Sequence, residues 1–306
     1  MFDWDAVIIG GGPAGLTAGL YLSRDRRRTL LLDKDSFGGY IRNIELIENY
    51  PGYAQGIAGA QLASEMVKQA EIYGLKTEIA DVTGLELFAD TRWVACSRGQ
   101  GYTTDIVIIA GGSRPKKLGV PGEEELAGKG IFNCAFCDGG HYADKTVAVC
   151  GGGDSGITEA LYMAKIASKV IVIEALPELT ATAVLRERAL VNPKIEIRCS
   201  VKVESLSGSD KVEAIECLDT AYGKKEIFKV DGILVHVGLD PNTEYLDGVI
   251  PLDDYRQIIV DGKMQTEISH VFAVGDIRSN SPRQVVSAVA DGAMAAITAS
   301  GLIQES

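Results

Sequence analysis

The chain has 306 residues and a formal net charge of −12, and these values exclude several classes of protein. An acidic surface repels phosphates, so nucleic acid is not expected as a partner. No apolar run approaches the roughly 18 residues of a membrane span, and no signal-peptide pattern opens the chain, so we expect a cytoplasmic protein without a membrane span. The length predicts two domains, and 46% hydrophobic residues are sufficient for a core in each.

The N-terminal segment has the pattern of a βαβ unit. An apolar run over residues 5–9 precedes a glycine cluster, a helical stretch through Leu22 and a second apolar run over 29–32. The glycines follow the spacing GxGxxG at Gly10, Gly12 and Gly15. Asp33 ends the second strand, where an acid can accept a hydrogen bond from a ribose hydroxyl. Together these features predict a dinucleotide-binding site.

A second unit of the same design begins at Lys145. An apolar run over 146–150 leads to a second GxGxxG cluster, a helical stretch through Ala167, a strand-like run over 170–173 and an acid, Glu174. The glycines of this cluster are Gly151, Gly153 and Gly156. This copy predicts a second nucleotide site, although glycines at this spacing can also serve helix–strand packing alone.

The repeated motif predicts an α/β fold with two Rossmann-like dinucleotide-binding domains, the second inserted into the first. Turn-forming residues over 111–122 and 238–243 mark the crossings between them. We therefore expect one discontinuous domain of residues 1–114 and 246–306, and an inserted domain of residues 115–245. The C-terminal part carries a buried-strand pattern over 270–276 and an Ala-rich helix from about Arg283 to Ala299.

Two of the six cysteines form a CxxC pair, Cys134 and Cys137. Two thiols at this spacing can close a disulfide, and the motif commonly lowers the pKa of one thiol. Zinc is the alternative, but it ordinarily needs four ligands, and neither a second CxxC nor a spaced histidine pair exists. We therefore predict a redox pair and no metal. The isolated cysteines are interpreted as buried thiols, namely Cys96, Cys150, Cys199 and Cys217.

Several motifs in order resemble the low-molecular-weight thioredoxin reductases over nearly the whole chain. Besides the two glycine clusters they are Gly38-Gly-Tyr, Glu48-Asn-Tyr-Pro-Gly52, the CxxCDG at Cys134 to Gly139, Val274-Gly-Asp276 and Arg283-Gln-Val285. The resemblance implies an FAD domain interrupted by a pyridine-nucleotide-like domain that bears the CxxC, a thioredoxin-like partner and a homodimer.

The resemblance also implies roles for residues. Cys137 would exchange electrons with the flavin, Cys134 would exchange with the protein substrate, and Asp138 would donate and accept the proton. His141 is interpreted as a surface residue, and Tyr40 as a packing residue or an aromatic neighbour of the flavin. Further residues implied at the FAD site are Gly39, Asn49, Gly275, Asp276, Arg283, Gln284 and Val285.

One stretch departs from the family. NADPH-dependent members carry HRRxxxR after the second fingerprint's strand, and its arginines bind the 2′-phosphate. Here the matching residues read Glu174-Ala-Leu-Pro-Glu-Leu-Thr180, without a basic side chain. Glu174 instead suits a free 2′-hydroxyl, as in NADH or a second FAD, so NADPH is disfavoured.

The leading hypothesis is an FAD-dependent disulfide oxidoreductase that passes electrons between flavin and a thioredoxin-like protein. The donor is left open, and ferredoxin is one candidate. Alternatives are a diflavin or flavin-linked dithiol oxidase running from thiol to flavin, a nucleotide-binding redox sensor without turnover, and an NADH oxidase that acts on a small molecule.

Overall fold

The computed structural model describes residues 2–88 and 91–303. The chain divides into two compact units, of which unit 1 comprises Met1–Arg114 and Asp240–Ser306 and unit 2 comprises Pro115–Leu239. Unit 1 contains a mixed sheet with a parallel central part and unit 2 a parallel sheet, each flanked by helices, so the predicted α/β class with Rossmann-type sheets is confirmed.

The return to unit 1 lies at Asp240, whereas the sequence prediction put it at residue 246. Hydrogen bonding and burial explain the difference. Asn242 donates from Nδ2 to the carbonyl of Gly111 at 2.8 Å, and Leu246 is buried in the core of unit 1. The turn-forming residues after Gly238 are thus already part of unit 1, although their composition resembles a linker.

The first segment of unit 1 contains most of its sheet. Its elements are β1 (Trp4–Ile9), α1 (Pro13–Arg24), β2 (Thr29–Asp33), α2 (Gly59–Ile72), β3 (Lys76–Ile79), β4 (Val82–Leu87), β5 (Arg92–Cys96), β6 (Gly101–Ile109) and β7 (Ser113–Pro115). Short 3₁₀ turns occupy Gly39–Asn43 and Ser97–Gly99.

Unit 2 contains the inserted segment. Its elements are β8 (Ile131–Phe132), α3 (Ala135–Asp138), β9 (Thr146–Cys150), α4 (Asp154–Ile166), β10 (Lys169–Ile173), α5 (Ala183–Leu190), β11 (Ile195–Arg198), β12 (Val201–Ser207), β13 (Ala214–Asp219), β14 (Lys224–Lys229) and β15 (Gly232–Val235). A 3₁₀ turn spans Gly139–Tyr142.

The chain then re-enters unit 1 through β16 (Leu239–Pro241), β17 (Val271–Ala273) and α6 (Val285–Ser300), with 3₁₀ turns at Glu244–Leu246 and Gly275–Ile277. The helix predicted from about Arg283 begins two residues later. Arg283 has a φ of 56°, outside the helical region, and Gln284 is the N-cap residue with a capping box to Ser287.

The sheet of unit 1 has the order β3-β2-β1-β6-β5-β4, and β17 pairs in parallel with residues 107–109 of β6, beyond the part of β6 that pairs with β5. Strand β1 is parallel to both neighbours, with Ile8 opposite Leu31 and Ile108. These central strands are continuous apolar runs because a parallel sheet is covered on both faces. The carboxyl ends of β1 and β2 therefore lie side by side, next to the first glycine fingerprint.

Unit 2 repeats this arrangement with a parallel sheet of order β11-β10-β9-β15-β8 and a separate antiparallel sheet β12-β13-β14. Val149 of β9 lies opposite Val172 of β10 and Leu234 of β15.

Over the residues that the structure describes, no helix combines the length and apolar character needed to cross a membrane.

Candidate functional site

The first fingerprint forms a tight turn between β1 and α1. Gly10 has a φ of 109°, and a Cβ there would lie 2.2 Å from the carbonyl oxygen of Ala110. A Cβ on Gly15 would lie 2.0 Å from the carbonyl oxygen of Gly10. Helix α1 begins after Gly12 without a side-chain cap, and Pro13 opens the helix. The turn thus leaves first-turn amides free of side-chain partners, as an anion-binding helix start requires.

Asp33 closes this turn from the end of β2. Its Oδ2 accepts a hydrogen bond from the Gly11 amide at 2.7 Å, and its Oδ1 accepts one from Asp35 at 3.0 Å. The predicted ribose-binding acid is therefore held beside the fingerprint, with carboxylate lone pairs left for a ligand hydroxyl.

Gly39 lies directly against the fingerprint. It has a φ of 63°, and a Cβ there would lie 2.8 Å from the Cα of Gly12. Its neighbour Gly38 donates its amide to the carbonyl of Gly11 at 2.7 Å. The Gly38-Gly39 pair thus forms the second wall of the phosphate cradle, and only glycine tolerates both the conformation and the close approach. Tyr40 follows in the 3₁₀ turn and is partly exposed.

The Gly275-Asp276 motif lies against helix α1, which follows the first fingerprint. Gly275 has a φ of 77°, and a Cβ there would lie 3.1 Å from Ala14 of α1. Its amide donates to Asp291, a buried carboxylate that forms a two-contact ion pair with Arg278 at 2.7 and 2.9 Å. Sequence reasoning missed Asp291, and its only signal was an acid inside the otherwise small and apolar helix α6. Burial raises the pKa of Asp276, against the opposing charge of Arg283.

Two further predicted residues meet although 235 positions separate them. Asn49 donates from Nδ2 to Oε1 of Gln284 at 2.9 Å. Val285, the first residue of α6, packs on the small apolar cluster that contains Ile41 and Ile57. The motifs around Asn49 and Gln284 therefore form one surface of unit 1.

These observations fit FAD. The cradle at Gly10, Gly15 and Gly39 is one that any Cβ would fill, and Asp33 stands where an adenosine ribose would lie in such a fold. Asp276 and the Asn49–Gln284 pair belong to the same unit and supply polar groups for the remaining part of a dinucleotide.

The second fingerprint repeats the first in unit 2. Gly151 has a φ of 119°, and a Cβ there would lie 2.1 Å from the carbonyl oxygen of His236. A Cβ on Gly156 would lie 2.0 Å from the carbonyl oxygen of Gly151. Gly153 is the N-cap of α4, again without a side-chain cap. Glu174 is buried and accepts from the Gly152 amide at 2.6 Å.

The loop after Glu174 folds back onto this turn. The amides of Thr180 and Ala181 both donate to the carbonyl of Gly152 at 3.0 Å, and the side chain of Leu179 is buried against Gly152. Arg186 contacts this loop through a 3.5 Å hydrogen bond to the Leu179 carbonyl. The side chains of Leu179 and Thr180 thus lie next to Gly152 and Gly153 of the second fingerprint.

His236 was missed by sequence reasoning. It follows β15 directly, and its amide donates to the Cys150 carbonyl at 2.8 Å. In the part of the chain that the structure describes, its Nε2 is buried and has no hydrogen-bond partner, and burial lowers the pKa of the imidazole to about 4. The corresponding residue of unit 1 is Ala110, which donates to Ile9 in the same way at 2.7 Å.

Cys134 and Cys137 form a disulfide around the short helix α3, with Cα atoms 5.4 Å apart. Cys134 is buried and is the N-cap of α3, and its Sγ accepts from the Cys137 amide at 3.0 Å. Cys137 and Asp138 are exposed, as are Phe136 between the cysteines and His141 beyond them. The structure therefore brings both cysteines and Asp138 into one turn.

Glu159 of α4 is a further residue at this turn that the sequence prediction omitted. Its Oε2 accepts a hydrogen bond from the Ala135 amide, the first amide of α3. Burial raises the pKa of Glu159 to about 7. The available signal was an acid on the helix opened by the second fingerprint, but nothing in the chain order links it to the CxxC.

The remaining cysteines fit a structural role. Cys96, Cys150 and Cys217 are buried and Cys199 is half-buried, and burial raises the pKa of all four thiols, which disfavours the reactive thiolate. Across residues 2–88 and 91–303, no group of three or more His, Cys, Asp or Glu side chains is arranged to hold a metal ion.

Comparisons with known proteins identify the family of the chain. The family model described as pyridine nucleotide-disulphide oxidoreductase matches residues 4–292. The chain is 35% identical over 304 residues to a thioredoxin reductase of Bacillus subtilis, covering 99% of this chain and 95% of the relative. It is 36% identical over 307 residues to one of Peptoclostridium acidaminophilum, covering 98% and 97%.

Among solved structures, the thioredoxin reductase of Lactococcus lactis superposes with a TM-score of 0.96 at 35% identity, covering 98% of this chain and 99% of that one. Match length, identity and the order of two fingerprints and a CxxC pair along the chain therefore agree. The chain belongs to the pyridine nucleotide-disulphide oxidoreductases, as a flavin disulfide oxidoreductase of the low-molecular-weight thioredoxin reductase-like family.

Proposed function

We propose that this chain is an FAD-dependent disulfide oxidoreductase that exchanges electrons with a thioredoxin-like protein through Cys134 and Cys137, and that NADPH is not its electron donor. The relatives named as thioredoxin reductases, each at about 35% identity over nearly the full chain, support the partner. The CxxC disulfide supports the chemistry.

The proposal that NADPH is not the electron donor rests on the loop from Glu174 to Thr180. Glu174 is a buried acid fixed by the Gly152 amide, and no Lys or Arg occurs in the loop. A phosphate dianion next to this carboxylate would be repelled by an energy on the order of several kcal/mol at low effective dielectric. A free 2′-hydroxyl would instead donate a hydrogen bond to it, so the second fingerprint suits NADH or the ADP part of a second FAD.

FAD, when bound, supplies a two-electron redox centre. The chain's own residues would hold it through the cradle at Gly10, Gly15 and Gly39, with Asp33 on the ribose. At the disulfide, the reduction of the S–S bond by two electrons creates two thiols or a thiol and a thiolate. Asp138, exposed at the end of α3, would exchange the proton with solvent.

The roles of the two sulfurs remain a prediction. The family pattern assigns Cys137 to the flavin and Cys134 to the partner, while the structure has Cys137 exposed and Cys134 buried. An exchange at Cys134 therefore requires this sulfur to become more accessible in the reaction. Homodimer formation is likewise a prediction that the resemblance carries.

One anaerobic titration tests the donor. NADPH, NADH, reduced ferredoxin and dithiothreitol are added in turn to the flavin-loaded protein while the flavin absorption band is followed. We expect no bleaching by NADPH, and bleaching by at least one of the other three. Rapid bleaching by NADPH at micromolar concentration would contradict the proposal, and bleaching by dithiothreitol alone would favour the dithiol oxidase.

The sulfur route is tested with Cys134→Ser and Cys137→Ser. The flavin is first reduced with dithionite, and its reoxidation by a thioredoxin disulfide is then measured. Both variants should lose this reoxidation. A Cys137→Ser protein that still reoxidises at the wild-type rate would contradict the route.

A further inference from the structure

Glu159 connects the second fingerprint helix with the redox turn of unit 2. It lies on α4, which begins at the fingerprint, and its Oε2 accepts the Ala135 amide hydrogen bond. Ala135 follows Cys134 in the chain and opens α3. The carboxylate therefore holds the first amide of the CxxC turn.

Two amides of this turn donate to different acceptors, one to a sulfur and one to a carboxylate. The Cys137 amide donates to Cys134 Sγ at 3.0 Å, and the Ala135 amide donates to Glu159. Because the Cys137 amide already donates to Cys134 Sγ, a thiolate formed at this sulfur on reduction would be stabilised by a donor of the same turn whose first amide Glu159 accepts. A thiolate at Cys134 and an ionised Glu159 would then be two negative charges at one turn.

Burial and one hydrogen bond set the protonation of Glu159. Burial is the larger influence and raises the pKa of its carboxyl to about 7, and the Ala135 hydrogen bond acts in the opposite direction. Within residues 2–88 and 91–303, no ionisable side chain contributes to this shift. The ionisable residues on α3, on the turn after it, on α4 itself and on the packed elements α5, β9, β10 and β11 are Asp138, His141, Tyr142, Cys150, Asp154, Tyr162, Lys165, Lys169, Arg186, Glu187, Arg188, Glu196 and Arg198.

We propose that Glu159 is a positioning residue of the redox disulfide and takes up one proton when the Cys134–Cys137 bond is reduced, so that its protonation adjusts the reduction potential of the pair. This role rests on the proposed function only in requiring that the disulfide be reduced. It adds a second acid to Asp138, at the start of the turn instead of its end.

Reduction of the Cys134–Cys137 disulfide takes up two electrons and two protons, one proton going to a sulfur and the other to the carboxylate of Glu159. Two electrons break the S–S bond, one sulfur becomes a thiol by taking a proton, and the other remains a thiolate. The second proton goes to Glu159, whose ionised form the new thiolate disfavours. With dithiothreitol as the reductant, its two thiols supply the electrons and become a cyclic disulfide.

The test is a redox titration of the flavin-loaded protein against dithiothreitol between pH 6 and 9. Free thiols are counted by alkylation at each ratio of reduced to oxidised dithiothreitol. We compare wild type with Glu159→Gln, in which the amide oxygen still accepts from Ala135 but takes no proton. In wild type the protein keeps both protons of dithiothreitol, so its exchange constant should change little between about pH 7 and 8. The exchange constant of Glu159→Gln, which releases one proton on reduction to the thiol and thiolate, should rise by up to about tenfold per pH unit.

The control is Glu187→Gln, an exposed acid on the neighbouring helix α5, which should follow the wild-type curve. Glu159→Asp should restore part of the weak pH dependence of wild type. Parallel curves for wild type and Glu159→Gln, within a factor of about two at every pH, would overturn the proposal.

A measurement on wild type alone covers the case in which Glu159→Gln does not fold. An infrared difference spectrum between the oxidised and reduced protein at pH 7.5 should show a new protonated carboxylic acid band on reduction. A spectrum without it would also overturn the inference. A disulfide that dithiothreitol never reduces would instead remove the proposed function, so the two failures are distinct.

Discussion

The two glycine fingerprints have nearly the same backbone and are followed by different loops. Their first glycines have φ values of 109° at Gly10 and 119° at Gly151, and a Cβ on either would clash with the carbonyl of the residue that follows the neighbouring strand. In each unit the acid at the end of the second strand accepts a hydrogen bond from the amide of the fingerprint's second residue, at 2.7 Å for Asp33 and 2.6 Å for Glu174. The backbone alone would predict the same ligand for both.

The difference begins after the acid. In unit 1 the chain returns with two glycines, and Gly39 leaves the cradle open above Gly12. In unit 2 the chain returns with Leu179 and Thr180, whose side chains lie against Gly152 and Gly153. A fingerprint thus predicts a phosphate cradle, and the side chains of the following loop decide which dinucleotide enters it.

The largest expected effect is a difference in bound flavin between variants of the two cradles. Gly10→Ala and Gly151→Ala each force a Cβ to within about 2.2 Å of a backbone oxygen and impose a strained φ, a cost on the order of 3 kcal/mol or more. Gly10→Ala should purify without flavin, whereas Gly151→Ala should keep it. The ratio of flavin to protein absorbance measures this, and equal flavin loss in both would show that the cradles do not act separately.

The next effect concerns the loop of unit 2. Rebuilding the basic pattern with Glu174→His, Ala175→Arg, Leu176→Arg and Thr180→Arg should raise the rate of flavin reduction by NADPH about 100-fold, because each charge-assisted phosphate contact contributes about 1.5–3 kcal/mol. Stopped-flow reduction at limiting NADPH provides the rate. Glu174→Gln alone is the matched control and should give only a small increase. An unchanged rate in the rebuilt protein would show that this loop does not exclude NADPH.

A smaller effect comes from the residue that follows the neighbouring strand, Ala110 in unit 1 and His236 in unit 2. The folded-state pKa of His236, about 4, lies below its unfolded value of 6.5. The unfolded chain therefore binds more protons, and this residue removes stability as the pH falls below 6.5, by about 2 kcal/mol at pH 5 and about 3 kcal/mol at pH 4.

The variant His236→Ala has at this position the residue type of Ala110 in unit 1. It should remove the loss of stability at low pH. The free energy of unfolding, from urea titrations at pH 7.5 and pH 5, is compared between wild type and variant. The same pH dependence in both proteins would mean that the buried imidazole does not titrate on unfolding.

The smallest effect concerns a contact of unit 1. The Asn49–Gln284 hydrogen bond joins two neutral side chains, so its loss should cost about 1 kcal/mol, or roughly fivefold in FAD affinity. Asn49→Ala, Gln284→Ala and the double variant form a cycle in which the double variant loses no more than either single one. Fully additive losses in FAD affinity would show that the contact contributes nothing to binding.

Several features of the fold were predicted from the sequence because they depend on local order. The paired βαβ patterns predicted the α/β class, and helix α1 was foreseen to within two residues of its end at Arg24. Boundaries were less accurate where tertiary contacts decide them. The return to unit 1 lies at Asp240 because Asn242 bonds to Gly111, a residue from the other end of the insertion.

By itself, the sequence determined the two cradles, the CxxC pair and the loss of basic residues after Glu174, since each depends on the type and spacing of neighbouring residues. Only the tertiary structure decided that Glu159 accepts the Ala135 amide, that Asp291 accepts the Gly275 amide and that Nε2 of His236 has no hydrogen-bond partner among the residues the structure describes. These contacts join residues far apart in the chain. Their pKa values and hydrogen bonds depend on burial, which spacing along the chain does not specify.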